Sequence, residues 1–144
     1  MEVILSKHFK LSEFLASDVA MSHRLVEQFQ LSFDVVDNLC ELVANVLEPI
    51  RARLDKPIRV TSGYRCPALN RLVGGVDTSQ HLYGMAADIS CQDNAALLSV
   101  INGLVSNYGL IYDQLILYGN VKKPRFIHVS FNPLHNRHQL LYKL

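Results

Sequence analysis

Tryptophan is absent and cysteine is scarce: Cys40, Cys66 and Cys91 are the 3 thiols of a 144-residue chain. Odd in number, far apart and without a CxxC pair, they argue against a thiolate zinc site or a redox dithiol and fit free thiols in a reducing compartment. An excess of one charge is lacking too. With 14 basic and 13 acidic residues the formal net charge is +1. No basic run interleaves with aromatics, so neither nucleic acid nor an anionic membrane is expected as a partner. Long hydrophobic runs are missing as well. The opening MEVILSKHFKLSEF returns to polar residues after Val3-Ile4-Leu5, too short for a signal-peptide core. Nothing later approaches the ~20 apolar residues of a membrane span. The expectation is a protein that stays in the cytoplasm as synthesised, unless something else releases it, with no membrane insertion.

What is present is a globular composition, 49% hydrophobic and 19% charged, of a length that suits one domain over residues 1–144. No repeat, low-complexity stretch or linker interrupts it. A short helix is expected from Leu11. From Ser32 to Leu54, apolar residues recur at three- and four-residue steps (Val35, Leu39, Leu42, Val46, Ile50), the pattern of a helix burying one face. Ser32 suits its N-cap, and Pro49 predicts a kink. Strands are expected at Ile58–Ser62, Met85–Ser90, Gln114–Tyr118 and Phe126–Phe131, with a last one at His138–Tyr142. Helices are expected at Cys66–Val73 and after Asp93 or Asn94, the second ending at Gly109. Helices come first and strands dominate later, so the fold class is α+β: a small antiparallel sheet flanked by helices.

One stretch concentrates the chemistry. Ser79-Gln80-His81-Leu82-Tyr83-Gly84-Met85-Ala86-Ala87-Asp88 sets an imidazole and a carboxylate on either side of a glycine, and a turn at Gly84 can fold them together. Strand alternation puts Ala86, Asp88 and Ser90 on one face, and Phe126, His128 and Ser130 on one face of a later strand. If those strands lie close, Asp88 and His128 meet. With His81 they make three nitrogen and oxygen donors and leave a fourth position open, the arrangement of catalytic zinc. Such an ion would polarise a carbonyl and bring the pKa of its water to about 7. On spacing and facing alone, packed or capping histidines fit equally well.

Four ordered motifs add to this: Ser62-Gly63-Tyr64-Arg65-Cys66-Pro67 with Asn70, then Val73-Gly74-Gly75, then the Ser79–Asp88 stretch, then Ile127-His128-Val129-Ser130. Together they resemble the peptidase M15 family of zinc D-Ala-D-Ala carboxypeptidases and murein endopeptidases, many of them from bacteriophages. The likeness runs from about Phe9 to Gln139. It implies the fold that these enzymes share with hedgehog domains, zinc as cofactor, and a peptidoglycan peptide as substrate. It also implies His81, Asp88 and His128 as metal ligands and Arg65 as the cation facing the scissile carbonyl or the substrate carboxylate. Ser79 and Gln80 are expected to hold His81 or touch substrate. For a chain with no signal peptide, release to the cell wall during phage lysis is the expected context.

The proton acceptor is where the chain departs from the pattern. Relatives carry an acid three residues before the last histidine, where this chain has Arg125, and often another where it has Tyr118. A guanidinium cannot take a proton at neutral pH. Asp93 and Asp113 are the carboxylate side chains that follow Asp88; Asp113, at the start of a strand, is the first candidate for a replacement catalytic base, ahead of His135 and His138. The departure also keeps open a second function, a catalytically impaired zinc module that binds murein or a protein partner. A cysteine hydrolase built on Cys66 or Cys91 is a third class, but neither thiol has a context that lowers its pKa.

Overall fold

The computed structural model describes residues 2–143. Its first half is helical: α1 (Leu11–Leu15), α2 (Asp18–Ser22), a 3-10 turn at Val26–Phe29, α3 (Phe33–Leu42), a π-helical stretch at Val43–Leu47 and α4 (Glu48–Leu54). Ser32 caps α3, its Oγ accepting from the Val35 amide at 3.3 Å. The apolar stripe is buried, and Leu39, Leu42, Val43, Val46, Leu47 and Ile50 are wholly inaccessible. At Pro49 the structure shows a change of pitch, with backbone angles still helical on both sides of it. The preceding turn widens to π spacing, which leaves room for the ring and removes the need for the amide hydrogen that proline lacks.

The second half builds the sheet. Strands β1 (Arg59–Ser62), β2 (Ala86–Ser90), β3 (Gln114–Gly119), β4 (Pro124–Ser130) and β5 (Gln139–Lys143) are ordered β1-β2-β4-β3-β5. Between them come α5 (Pro67–Leu72), a 3-10 turn at Gln80–Tyr83 and α6 (Asn94–Tyr108). The first four strands pair antiparallel, as expected, but β5 runs parallel to β3. The cause is local. Residues 131–138 are too many for a tight hairpin, and they carry the chain past the start of β3. There the amides of His138 and Gln139 donate to the carbonyls of Tyr112 and Asp113. With its first residue fastened beside the first residue of β3, β5 can only run the same way.

Side-chain alternation then divides the sheet. One face carries Ala87, Ile89, Leu115, Leu117, Ile127 and Val129, all at most 1% exposed, and packs with the helices into one core. Asp93 Oδ1 caps α6 by accepting from Ala96 N, and Gly109, at φ 64°, ends it. Asn94, the other candidate cap, instead accepts from Cys91 N and donates to the carbonyls of Pro124 and Arg125. The opposite face, with Asp88, His128, Gln114, Ile116 and Tyr118, forms the floor of a cleft. No helix among the described residues is long and apolar enough to cross a membrane.

Candidate metal centre

Asp88 and His128 are direct partners in the β2–β4 ladder, so their side chains leave the sheet on the same side as nearest cross-strand neighbours. The His128 Nδ1–H donates to Asp88 Oδ1 at 2.9 Å. His81 arrives from the 3-10 turn above them. Ser79 Oγ accepts from the His81 amide at 3.2 Å, capping that turn, and Gly84 ends it at φ 72°. A side chain at Gly84 would also come within 2.7 Å of the Val35 carbonyl, so the turn and the α3 contact both require glycine.

The orientation of His81 is set by the backbone. Its Nδ1 lies 2.6 Å from the Gly63 carbonyl. A carbonyl only accepts, so Nδ1 holds a proton and Nε2 faces the cluster, as a donor to Asp88 in the imidazolium and as a lone pair in the neutral ring. Gly63 can serve in this way because it lies against α1, where an added Cβ would fall 2.5 Å from Phe14 O. His81 Nε2 is 3.5 Å from Asp88 Oδ1, and one donor atom from each of His81, Asp88 and His128 lies within 4.8 Å of the others. Burial alone would raise the Asp88 carboxyl; hydrogen bonds from His128 and His81 and their charge outweigh it and hold the group well below the usual carboxylate range. A carboxylate with two imidazoles is a donor set that suits zinc, and these three could hold such an ion.

The other expected residues separate into two groups. Arg65, Ser79 and Gln80 line the cleft, a hollow of about 530 Å³. Arg65 is half-buried. Desolvation lowers its pKa while the charge of Asp88 and Tyr118 works the other way, and it remains a cation at neutral pH. Its Nε is buried without a protein partner. Asp113, by contrast, is 2% exposed and does not line the cleft. Its oxygens accept from Arg137 N, Nε and Nη2 and from Gln80 Nε2, all within 2.7–2.9 Å. Those bonds, from Arg137 foremost, pull its pKa down to about 2.

Two positions singled out in the sequence change meaning. Arg125 is exposed and is not part of the cleft wall; it sits where the β3–β4 register shifts, with its guanidinium carbon 5.9 Å from the Phe126 ring centroid. Tyr118 does line the cleft, its ring stacked on Phe126 with centroids 4.5 Å apart. Arg137 and Lys143 also line it and were not assigned a role from sequence. The signal for Arg137 was its place in the Asn136–Gln139 stretch; that for Lys143 was its alternation with Leu141 along β5. A larger hollow of about 840 Å³ between Glu13, Lys56, Arg59, Cys91 and Asp93 lies away from the three donors.

An α+β sheet thus brings two imidazoles and a carboxylate together in one cleft, a group that could hold a metal ion. The chain belongs to the peptidase M15 family, whose model matches residues 7–130. It is similar to the zinc D-Ala-D-Ala carboxypeptidase of Streptomyces albus G, with 51% identity over 35 residues, 24% of this chain and 14% of that protein. The matched stretch is thus a small part of that relative's length.

Proposed function

We propose that this protein is a zinc-dependent peptidase that hydrolyses peptide bonds in the stem peptides of bacterial peptidoglycan. The observation that carries the reading is the meeting of His81, Asp88 and His128 in one cleft that Arg65 also lines. Zinc held by His81 Nε2, an Asp88 oxygen and His128 Nδ1 would polarise a carbonyl and make water nucleophilic near neutral pH. The chain's own residues do the rest. Arg65 offers its guanidinium to the substrate oxygen that gains charge, or to a substrate carboxylate. The Gly63 carbonyl holds the His81 ring and its tautomer, and Ser79 fixes the turn that carries it. Asp113 is better suited to positioning than to catalysis. A group with a pKa of about 2, saturated by four donors, is a poor proton acceptor at pH 7.

A second reading rests on a specific observation. Asp88 is the one carboxylate among the described residues that line the cleft, and it is a metal ligand. A zinc module that binds murein peptides without cleaving them would look the same. Incubating the zinc-loaded protein with purified murein peptides and measuring released amine separates the two. Hydrolysis is expected in the wild type, with Arg65→Met slower by about 10²–10³-fold and zinc content unchanged. No release from a protein that still holds zinc overturns the peptidase and leaves the binding module.

A further inference from the structure

The charge of the cleft wall is lopsided. Arg65, Arg137 and Lys143 line it against one carboxylate, Asp88, whose charge is committed to the metal. Strand register arranges these cations along the cleft. Asp88, His128 and Ile116 form one row across β2, β4 and β3. Towards the end of β3, Tyr118 pairs with Lys143, whose Nζ lies 5.9 Å from the Tyr118 ring centroid. Before the start of β3, Asp113 holds Arg137. Asp113 and Tyr118 are five residues apart, about 17 Å along a strand, with the metal row between them. A peptide whose scissile bond lies at that row meets a cation on each side.

Arg137 is built for recognition as well as for fastening the chain. Asp113 takes its Nε and Nη2 edge and leaves Nη1 uncommitted by that pair. The side chain is 49% exposed while its partner is 2% exposed, so the carboxylate is sealed away and the guanidinium is presented. The same buried carboxylate fixes Gln80, whose Oε1 is buried without a protein partner. A fork held rigid on one edge loses little freedom when a second carboxylate binds the other.

Building on the peptidase reading, we propose that Arg137 is a specificity-determining residue that binds a second substrate carboxylate, across the metal row from Lys143 and distinct from the group that Arg65 engages. The protein then selects stem peptides that carry this group as a free acid over those in which it is a carboxamide.

The test uses the zinc-loaded full chain and a series of peptidoglycan stem peptides with their carboxylates amidated one at a time, measured by calorimetric binding and by amine release. For wild type, amidation at one internal carboxylate should weaken binding about tenfold or more. Arg137→Met should bring that ratio near one, while discrimination at the carboxylate read by Arg65 and the zinc content stay as they were. Because that variant leaves Asp113 buried and unpaired, the double variant Asp113→Asn/Arg137→Met is measured beside it and should give the same ratio. A wild-type ratio of one at every internal carboxylate, or a ratio that survives in both variants, overturns the proposal. Discrimination in binding without hydrolysis would sink the peptidase and keep Arg137; hydrolysis without discrimination would do the reverse.

Discussion

Asp88, on β2, and Asp113, just before β3, are both carboxylates, both mostly hidden and both held ionised, yet the structure gives them opposite uses. Asp88 is kept charged by two imidazoles, groups that lose a proton readily and can turn from donors into metal ligands. Asp113 is kept charged by a guanidinium and an amide, which can do neither. What decides the role of a buried carboxylate is whether its partners can exchange a proton for a metal. Asp88 belongs to a site that changes state; Asp113 belongs to a permanent fastening.

The sharpest way to break this comparison is to remove an imidazole. His81→Ala and His128→Ala should each bring zinc in the purified protein from about one ion per chain to near none, read by metal analysis after dialysis. The fold should survive, because neither ring is part of the continuous apolar core. Full zinc retention in either variant would mean that Asp88 is ordinary and the three donors are not the site.

The next largest effect is expected at the fastening. Asp113→Asn should keep zinc but lower unfolding stability by about 2–3 kcal/mol, read by denaturant titration. That lies below the cost of breaking a fully buried pair, because Arg137 is half in water and can be resolvated. The pH dependence follows from the same bonds. Asp113 has a folded pKa of about 2, below its ordinary value of 3.8. Its stabilisation is therefore present above pH ~4 and lost as the pH falls through 2, where the folded state is itself half protonated. Wild type should lose roughly 2 kcal/mol more than Asp113→Asn across that window. Equal acid sensitivity in the two proteins would show that the Arg137 pair contributes nothing.

These expectations also mark what was legible in the sequence. The Asp88–His128 meeting could be read because strand periodicity is strict: alternation fixes the face of each residue, and two apolar faces admit one way of stacking on a core. The α3–α4 stripe and its Ser32 cap were legible for similar local reasons. The direction of β5 was not, because it depends on where residues 131–138 are tied to Tyr112 and Asp113, a contact with no local signature. Asp113 looked like a free acid at a strand start for the same reason. Its partner Arg137 lies 24 residues away, and no periodicity connects them. Arg125 was given weight by sequence distance from His128, but it falls where the β3–β4 register shifts, and there alternation alone does not fix a side chain's face.

The smallest effect, one expected to be nil, tests whether anything outside these two carboxylate systems takes part. None of the three thiols lines the cleft. Cys66 is 1% exposed, and its amide donates to the buried Gln28 side chain at 2.9 Å, which marks it as a packing residue beside the Arg65 turn. Cys40 is on α3, where burial, then the charges of Asp37 and Glu41, push the thiol up, away from the thiolate that a nucleophile needs. Cys91 lies at the far end of β2, its Sγ directed to the Asp93 carbonyl. Treating the zinc-loaded, folded protein with iodoacetamide should therefore modify the accessible thiols and change neither zinc content nor the rate of amine release by more than about twofold, which is under 0.5 kcal/mol. A large loss of release with zinc retained would place a thiol in the chemistry, and the contrast between Asp88 and Asp113 would no longer account for how the cleft works.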